Sequence, residues 1–260
     1  MSDTNGWTTV PRGKRSSKST HAKTPGLNGT DRAITVEHLQ RDFEKKIRLW
    51  RGSPGRKTLL QMLTKNAPDE GWKFDKAVCL ATGSFSTQNL ELNRRGMLQL
   101  ACFMDLATEM GKARCGGDGE MEVLAQEPKY SPLDRAFLST LSISVLATEP
   151  GVSSLGPAKS HLGPSTLLCD FFMNMSPQAE REFFAAPPGL YVGTPFVGKT
   201  AVREGIEEGE EEGLRVVREK FEKRYVRRNF PISWEGSVDP GVFEGLSIWW
   251  PDPGEEEKDE

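Results

Sequence analysis

The sequence predicts an α/β protein in which a mostly parallel β-sheet lies between two layers of helices. Short apolar runs alternate with amphipathic helices through residues 72–200, a pattern typical of parallel strands that are buried on both faces. A helical extension precedes this Rossmann-like three-layer unit, and one long, charged helix follows it. Together these features define the predicted fold class.

The N-terminal helical extension is predicted over residues 31–71. Apolar side chains recur there at spacings of three and four residues, which places them on one face of a helix. They are Val36, Leu39, Phe43, Ile47 and Trp50. Gly52 and Pro54 end this helix, and a second, shorter helix is predicted over residues 57–65.

Five apolar runs are predicted to be the strands of the sheet. They lie at residues 77–81, 121–124, 143–147, 165–172 and 190–192. The segments between them are predicted helices, the first of which begins near Thr87, while two others cover residues 131–141 and 177–185. Residues 153–164 are rich in Gly, Ser and Pro, which predicts a loop.

The charged segment 203–228 is predicted to form one long, solvated helix. Its first half is rich in glutamate and its second half in arginine and lysine, an order that complements the helix dipole. Val217, Phe221 and Tyr225 recur every four residues and would form a narrow stripe for docking. The apolar segment 243–250 is predicted to pack back onto the body of the protein.

The two ends of the chain carry opposite charge, and we expect both to be disordered. Residues 1–30 carry five basic side chains against one acidic one, and residues 252–260 carry six acidic side chains against one lysine. The net charge of the whole chain is −3, so the body between the ends is close to neutral. A neutral body argues against a dedicated nucleic-acid-binding protein, which normally presents a basic face. The simplest interpretation of the basic N-terminal tail is a solvated, disordered segment, and nuclear import or contact with an acidic partner is the alternative.

Membrane, secreted and metal-binding classes find no support in the sequence. No apolar run approaches the roughly 18 residues of a membrane span, and no apolar segment follows the first methionine. The four cysteines form no CxxC pair, and three scattered histidines do not complete a metal site. We therefore expect no metal ion, no membrane partner and a reducing, cytoplasmic or nuclear compartment.

The candidate site lies where the first predicted strand ends, because ligands of open parallel sheets bind at the carboxyl ends of strands. Thr82, Gly83, Ser84 and Ser86 follow this strand, where the glycine permits a tight turn and the hydroxyls can cap the next helix. That helix would direct its N–H groups at an anion such as phosphate. One glycine without a lysine is less than a dinucleotide or P-loop motif, so an ordinary capped turn is the alternative interpretation.

Three further side chains complete the candidate ligand site. Glu127 follows the second strand and would supply the acidic group of a dinucleotide-type site, although it lies 44 residues after Gly83. Asp170 ends the fourth strand. Gln99 lies in an apolar stretch of the first crossover helix, where a buried amide either orients the Gly83 turn or serves the core alone. The sequence identifies no catalytic residue and no cofactor.

Several of these motifs resemble, in order and spacing, those of the sensitivity-to-red-light-reduced family, whose shared unit is the SRR-like domain. They are the basic motif Trp7–Arg15, the strand and turn Val78–Ser86, the element Gln99–Ala101, the segments Asp134–Leu141 and Ile143–Leu146, the strand Leu190–Pro195 and the C-terminal segment Phe243–Trp250. The last of these resembles fungal-type members. The resemblance implies a single SRR-like α/β domain over residues 72–251.

The sequence departs from the family pattern at two places. Ala81 stands where other members have a glycine, and Cys169-Asp170-Phe171 takes the place of a histidine–cysteine pair. The resemblance implies a regulatory protein, since members are associated with light signalling and the circadian clock in plants, haem-biosynthesis regulation in animals, and cytoskeletal or stress phenotypes in fungi.

Three functional hypotheses follow from the residues and the resemblance. The first is a regulatory protein whose crevice binds a small ligand or a protein partner. The second is a transferase that uses a nucleotide-type cofactor at residues 82–86 with Glu127. The third is a non-catalytic scaffold that docks through the helix at residues 203–228, for which we expect a filled crevice and an exposed Val217-Phe221-Tyr225 stripe.

Overall fold

The computed structural model describes residues 34–112, 120–171, 173, 175–196, 208–232 and 238–254. In chain order its strands are β1 (Lys76–Leu80), β2 (Glu122–Gln126), β3 (Ser144–Val145), β4 (Thr166–Asp170), β5 (Leu190–Gly193), β6 (Tyr225–Asn229) and β7 (Ser247–Pro251). Its helices are α1 (Val36–Arg51), α2 (Pro54–Lys65), α3 (Leu90–Lys112), α4 (Pro132–Thr140), α5 (Pro177–Ala185) and α6 (Glu208–Arg224). Short 3-10 helices cover Gly156–His161 and Pro240–Val242.

All seven strands join one sheet in the order β3-β2-β1-β4-β5-β7-β6. Strands β1 to β5 are parallel to one another, whereas β7 runs antiparallel to both of its neighbours, β5 and β6. Because β2 and β3 lie on one side of β1 while β4 and β5 lie on the other, the topological switch point falls between β1 and β4. The predicted mostly parallel α/β fold is confirmed.

Helices cover both faces of the sheet and give the predicted three layers. Alternate residues of a strand face opposite sides, and two separate cores follow from this alternation. Cys79 of β1 and Trp250 of β7 pack in the core that holds the buried residues of α1 to α4. Val78 and Trp249, their neighbours in sequence, pack in the core that holds the buried residues of α5 and α6.

The helical extension is fixed to the sheet-covering helix α3 through one buried carboxylate. Asp105 of α3 is only 1% exposed. It accepts hydrogen bonds from Trp50 Nε1 at 3.1 Å, Arg51 Nε at 2.9 Å and Arg56 Nε at 2.6 Å. Helix α2 begins at Pro54 rather than at the predicted residue 57, because Ser53 caps it and proline suits the first helical turn.

The long charged helix expected over residues 203–228 was predicted wrongly at its C-terminal end. Helix α6 ends at Arg224, and Tyr225 begins strand β6, which pairs with β7 as far as Asn229. Phe221, from the proposed docking stripe, is buried against Phe183 and Trp249. Tyr225 packs against the same core and Val217 is half-buried, so the stripe is not an exposed docking surface.

Several predictions fall outside the part of the chain that the structure describes. The basic tail at residues 1–30, the first residues of the predicted charged helix and residues 255–260 of the acidic tail all lie there. None of the helices in the described ranges combines the length and the hydropathy that a membrane span requires.

Candidate functional site

A crevice of about 610 Å³ opens at the carboxyl ends of β1, β2 and β4. Its walls come from the turn after β1, the start of α3 and residues 126–129 at the end of β2. Residues between 148 and 154, after β3, and Phe171 and Met173, after β4, complete the lining. This place is the topological switch point of the sheet, where open α/β folds bind ligands. The volume is within the range of small-molecule sites.

The turn after β1 forms the centre of the crevice and has an unusual backbone. Ala81 has a φ of +60° and Gly83 a φ of +72°. Left-handed backbone is costly for a residue with a Cβ atom, so the glycine that the family resemblance leads one to expect at position 81 would relieve this turn. Thr82 is buried, and its hydroxyl lies 2.8 Å from the hydroxyl of Tyr130.

Glu127 meets the turn although 44 residues separate it from Gly83. Its Oε2 accepts a hydrogen bond from the N–H of Gly83 at 3.1 Å, and its Oε1 accepts one from the N–H of Lys129 at 3.0 Å. The long helix α3 carries the chain away from the turn, and β2 brings it back beside β1. The side chain is only 7% exposed, yet it lines the crevice.

Asp134 is the residue that sequence reasoning missed in the candidate site. It is fully buried and accepts hydrogen bonds from Ser84 Oγ at 2.7 Å, Ser86 N at 2.8 Å and Ser131 N at 2.8 Å. The last bond belongs to the capping box that begins α4, and the sequence Ser131-x-x-Asp134 is the local pattern that indicates this capping role but not the contact with the turn. The same carboxylate therefore caps α4 and fixes the turn after β1.

Of the seven residues predicted for the site, the structure brings five to the crevice. These are Thr82, Gly83, Ser84, Gln99 and Glu127. Gln99 is buried, and its Nε2 donates to the carbonyl of Val242 at 3.4 Å. Ser86 instead points its hydroxyl at Ser131 of the α4 cap, 2.8 Å away.

Asp170 also lies apart from the crevice surface. It is 1% exposed, and it accepts hydrogen bonds from the N–H of Met173 at 2.7 Å and from the hydroxyl of Tyr191 at 3.2 Å. Burial, together with the negative charge of Asp170, raises the pKa of the Tyr191 hydroxyl well above its usual range. Asp170 thus orders the turn after β4, and its neighbours Phe171 and Met173 line the crevice in its place.

The start of α3 differs from the prediction in a way that matters for anions. The helix begins at Leu90 rather than near Thr87, because Asn89 Oδ1 caps the N–H groups of Glu91 and Leu92, each at 3.1 Å. The N–H groups of two residues in the preceding turn are bonded to the carboxylates of Glu127 and Asp134. Donors that phosphate would need are thus already taken, two of them by negative charges. We therefore assign no phosphate site there.

Three buried thiols lie beneath the crevice. Cys79 of β1 and Cys169 of β4 are partners in register, and Cys102 lies on α3. Burial raises the pKa of each thiol, so none is a reactive thiolate at neutral pH. Among the residues with a described position, no group of three metal-ligating side chains comes together.

The fold and the crevice together define a Rossmann-like α/β protein with an opening of ligand size at its switch point. The sequence matches the SRR1 domain over residues 39–193, more than half of its length. The chain belongs to the SRR1 domain family, which confirms the resemblance seen in its motifs. The match begins within α1 and ends at the last residue of β5.

The chain was also compared with curated proteins and with solved structures. No curated protein matches the chain. Among solved structures it is similar to a Klebsiella pneumoniae protein provisionally described as an O-methyltransferase, with 15% sequence identity and a TM-score of 0.35. The similarity covers 87% of this chain and 92% of that one. We draw no functional argument from a likeness this distant.

Proposed function

We propose that this SRR1-domain protein is a regulator of the cytoplasm or nucleus whose crevice binds a small ligand containing a ribose or a similar polyol. The single observation that carries the proposal is the position of Glu127. It directly follows β2, the strand beside β1, and lines the crevice at the switch point. Dinucleotide-binding folds use an acidic residue beyond their glycine-containing turn to bind the ribose hydroxyls.

The hydrogen bonds of Glu127 are compatible with this role. Each of its two carboxylate oxygens accepts one backbone N–H, from Gly83 and from Lys129. A carboxylate offers about four acceptor positions, so each oxygen can still accept a hydroxyl from a ligand. The two backbone bonds hold the carboxylate in place before a ligand arrives, which reduces the entropy lost on binding.

The walls of the crevice suit a ligand that also carries a flat or apolar group. Leu80 and Phe171 lie at the strand ends, while Leu92 and Val152 stand at 57% and 48% exposure. The backbone donors near Gly83 are bonded to carboxylates, which disfavours a phosphate beside the turn. The crevice combines the carboxylate of Glu127 with apolar walls. A nucleoside-like ligand fits this combination better than a nucleoside triphosphate does.

The scaffold hypothesis receives less support. It requires a filled crevice and an exposed stripe on the charged helix, whereas the crevice is open and Phe221 is 5% exposed. The transferase hypothesis uses the same crevice and remains the second candidate, because Gly83 and Glu127 meet there. Its cofactor would bind as proposed here, and a second substrate would be needed for turnover.

Isothermal titration with adenosine and with 2′,3′-dideoxyadenosine tests the proposal directly. We expect adenosine to bind about 10- to 100-fold more tightly, since hydrogen bonds to a charged group contribute about 1.5–3 kcal/mol. Glu127→Gln should remove most of this preference. The matched control is Glu122→Gln, at the exposed opposite end of the same strand, which should leave the preference unchanged.

Equal affinity for the two nucleosides, or a Glu122→Gln effect as large as that of Glu127→Gln, would contradict the proposal. Native mass spectrometry with S-adenosylmethionine, nicotinamide dinucleotides and haemin then identifies other ligand classes. A retained adduct that is chemically converted when candidate substrates are added would favour the transferase.

A further inference from the structure

A second groove, of about 470 Å³, runs along α2 on a part of the surface that shares no lining residue with the crevice. We call it the α2 groove. Its lining consists of Arg51, Arg56, Lys57, Leu60, Gln61, Thr64 and Lys65. Four of these seven residues are cationic, so the character of the groove is set by positive charge.

The two arginines of the α2 groove are held in place by buried and half-buried carboxylates. Arg51 and Arg56 both bond to Asp105, and Arg56 Nη2 also bonds to Glu109 at 3.1 Å. Arg51 uses its Nε for this contact and is half-exposed. A guanidinium that is fixed through Nε presents its remaining N–H donors in a defined direction, which suits carboxylate recognition.

The lysines leave the α2 groove with an excess of positive charge. Lys57 and Lys65 are exposed, and within the described ranges neither has a carboxylate within salt-bridge distance. The four cations of the groove therefore face two carboxylates, Asp105 and Glu109, which leaves an excess of two positive charges. An acidic peptide segment complements this surface, and the leucine side chain offers a small apolar contact.

The end of β7, where the chain leaves the sheet, lies on the same side of the molecule as the C-terminal end of α2. Trp72 Nε1 donates to the carbonyl of Leu63 at 3.1 Å, and the Trp72 ring stacks on Phe74 with centroids 5.7 Å apart. Phe74 is packed so closely on Gly189 that a Cβ atom there would lie 3.0 Å from its ring. Extending the register of β5 and β7 by two residues places Gly189 opposite Pro251.

The segment that follows Pro251 is strongly acidic. Residues 255–260 carry five acidic side chains and one lysine, a net charge of −4. Six extended residues reach about 20 Å, whereas α2 rises only about 12 Å from Lys57 to Lys65. The segment is thus long enough to follow the groove once it reaches Lys65.

We propose that the acidic segment 255–260 binds in the α2 groove of its own chain. The carboxylates of residues 255–260 contact the groove lysines and the remaining N–H donors of Arg51. Because the segment is tethered to the fold by a few residues, its effective concentration at the groove is of millimolar order. The groove is therefore occupied intramolecularly, and an acidic segment of another protein must compete with it.

Fluorescence anisotropy with a labelled peptide of residues 252–260 tests this inference in two full-length proteins. One is the wild-type chain, and the other carries Glu255→Gln, Glu256→Gln and Glu257→Gln, which should vacate the groove. We expect the substituted chain to bind the peptide at least 10-fold more tightly than the wild-type chain. The affinity for the peptide should fall as salt rises from about 0.05 to about 0.3 M, because salt screens the attraction between exposed charges.

Variants of the groove provide the matched comparison in the chain with the neutralised tail. Lys57→Gln combined with Lys65→Gln should weaken peptide binding at least fivefold. Lys45→Gln combined with Lys46→Gln removes the same charge from α1 and should leave binding unchanged. Equal peptide affinity of the wild-type and tail-neutralised chains, no binding by the tail-neutralised chain, or an equal effect of the two lysine pairs would each overturn the proposal.

Discussion

At the scale of single residues, carboxylates account for the geometry of the crevice. Glu127 and Asp134 hold the turn after β1 from two sides through the N–H groups of Gly83 and Ser86. The sequence indicated Glu127, because an acidic residue directly after a strand is a known feature of ligand sites. It did not indicate Asp134, since a capping residue gives no local sign that it also contacts a turn 50 residues away.

The backbone of Ala81 supports a stability prediction. Its φ of +60° costs a residue with a Cβ about 1–2 kcal/mol. Glycine would remove this strain, but its greater conformational freedom in the unfolded chain would offset part of the gain in stability. We expect Ala81→Gly to raise the free energy of unfolding by about 0.5–1 kcal/mol in urea titrations. Ala77→Gly, in the regular part of β1, should lower it instead. A loss of stability in Ala81→Gly would show that the left-handed turn carries no strain.

At the scale of elements, a buried ion pair joins α6 to α5, whereas most charged side chains of α6 lie at the surface. Arg218 donates to Glu180 Oε2 of α5 through Nε at 3.0 Å and through Nη2 at 2.5 Å. Glu180 is fully buried, and the Arg218 side chain is 7% exposed. Arg215 lies one turn earlier and pairs with Glu212 and Glu219 in solvent.

Substituting the two arginines separates a buried pair from an exposed one. Arg218→Ala removes the guanidinium that pairs with the buried carboxylate of Glu180, so we expect a loss of about 3–5 kcal/mol in the free energy of unfolding. Arg215→Ala should not measurably change the urea midpoint, because exposed pairs contribute little. Comparable losses in the two variants would mean that the exposed network, and not the buried pair, holds the helix.

The helix end at Arg224 could not have been foreseen from local pattern. Charged residues continue at helical spacing through residue 228, and Tyr225 extends the apolar stripe. The strand forms because residues 225–229 find a partner in β7, some twenty positions later in the chain. Such pairing depends on tertiary context, which overrides propensity in short segments.

At the scale of the whole molecule, the sequence predicted the parallel half of the sheet and missed its antiparallel end. Continuous apolar runs predicted β1, β2, β4 and β5, because strands that are buried on both faces of a sheet have few polar residues. Strand β7 appeared in the sequence only as an apolar segment that packs back, although Trp249 and Trp250 face opposite cores. Strand β6 is largely exposed and carries Arg227 and Arg228, so no burial pattern marked it.

The SRR1 match ends at residue 193, whereas the sheet continues through β7 and β6. A fragment of residues 34–196 lacks β7. It would therefore expose the hydrogen-bonding edge of β5, including the backbone of Tyr191 and Val192 that β7 covers in the full chain. Exposed apolar edges pair with other chains. We therefore expect this fragment to elute as aggregates in size-exclusion chromatography where the full chain gives a discrete peak. A monomeric fragment with cooperative unfolding would show that β6 and β7 are dispensable for the core.

The bonds of Asp134 also bear on the order in which the protein folds. Ser84 and Asp134 are 50 residues apart, and Gly83 and Glu127 are 44 apart, so neither contact can form until β1, α3 and β2 have been brought together. Closing a loop of this length costs conformational entropy before the contact can contribute any stabilisation. Contacts between residues that are distant in sequence therefore tend to form later than local ones. The crevice would then become ordered only after these elements have assembled, and a molecule caught short of that step would carry its secondary structure without an ordered turn after β1.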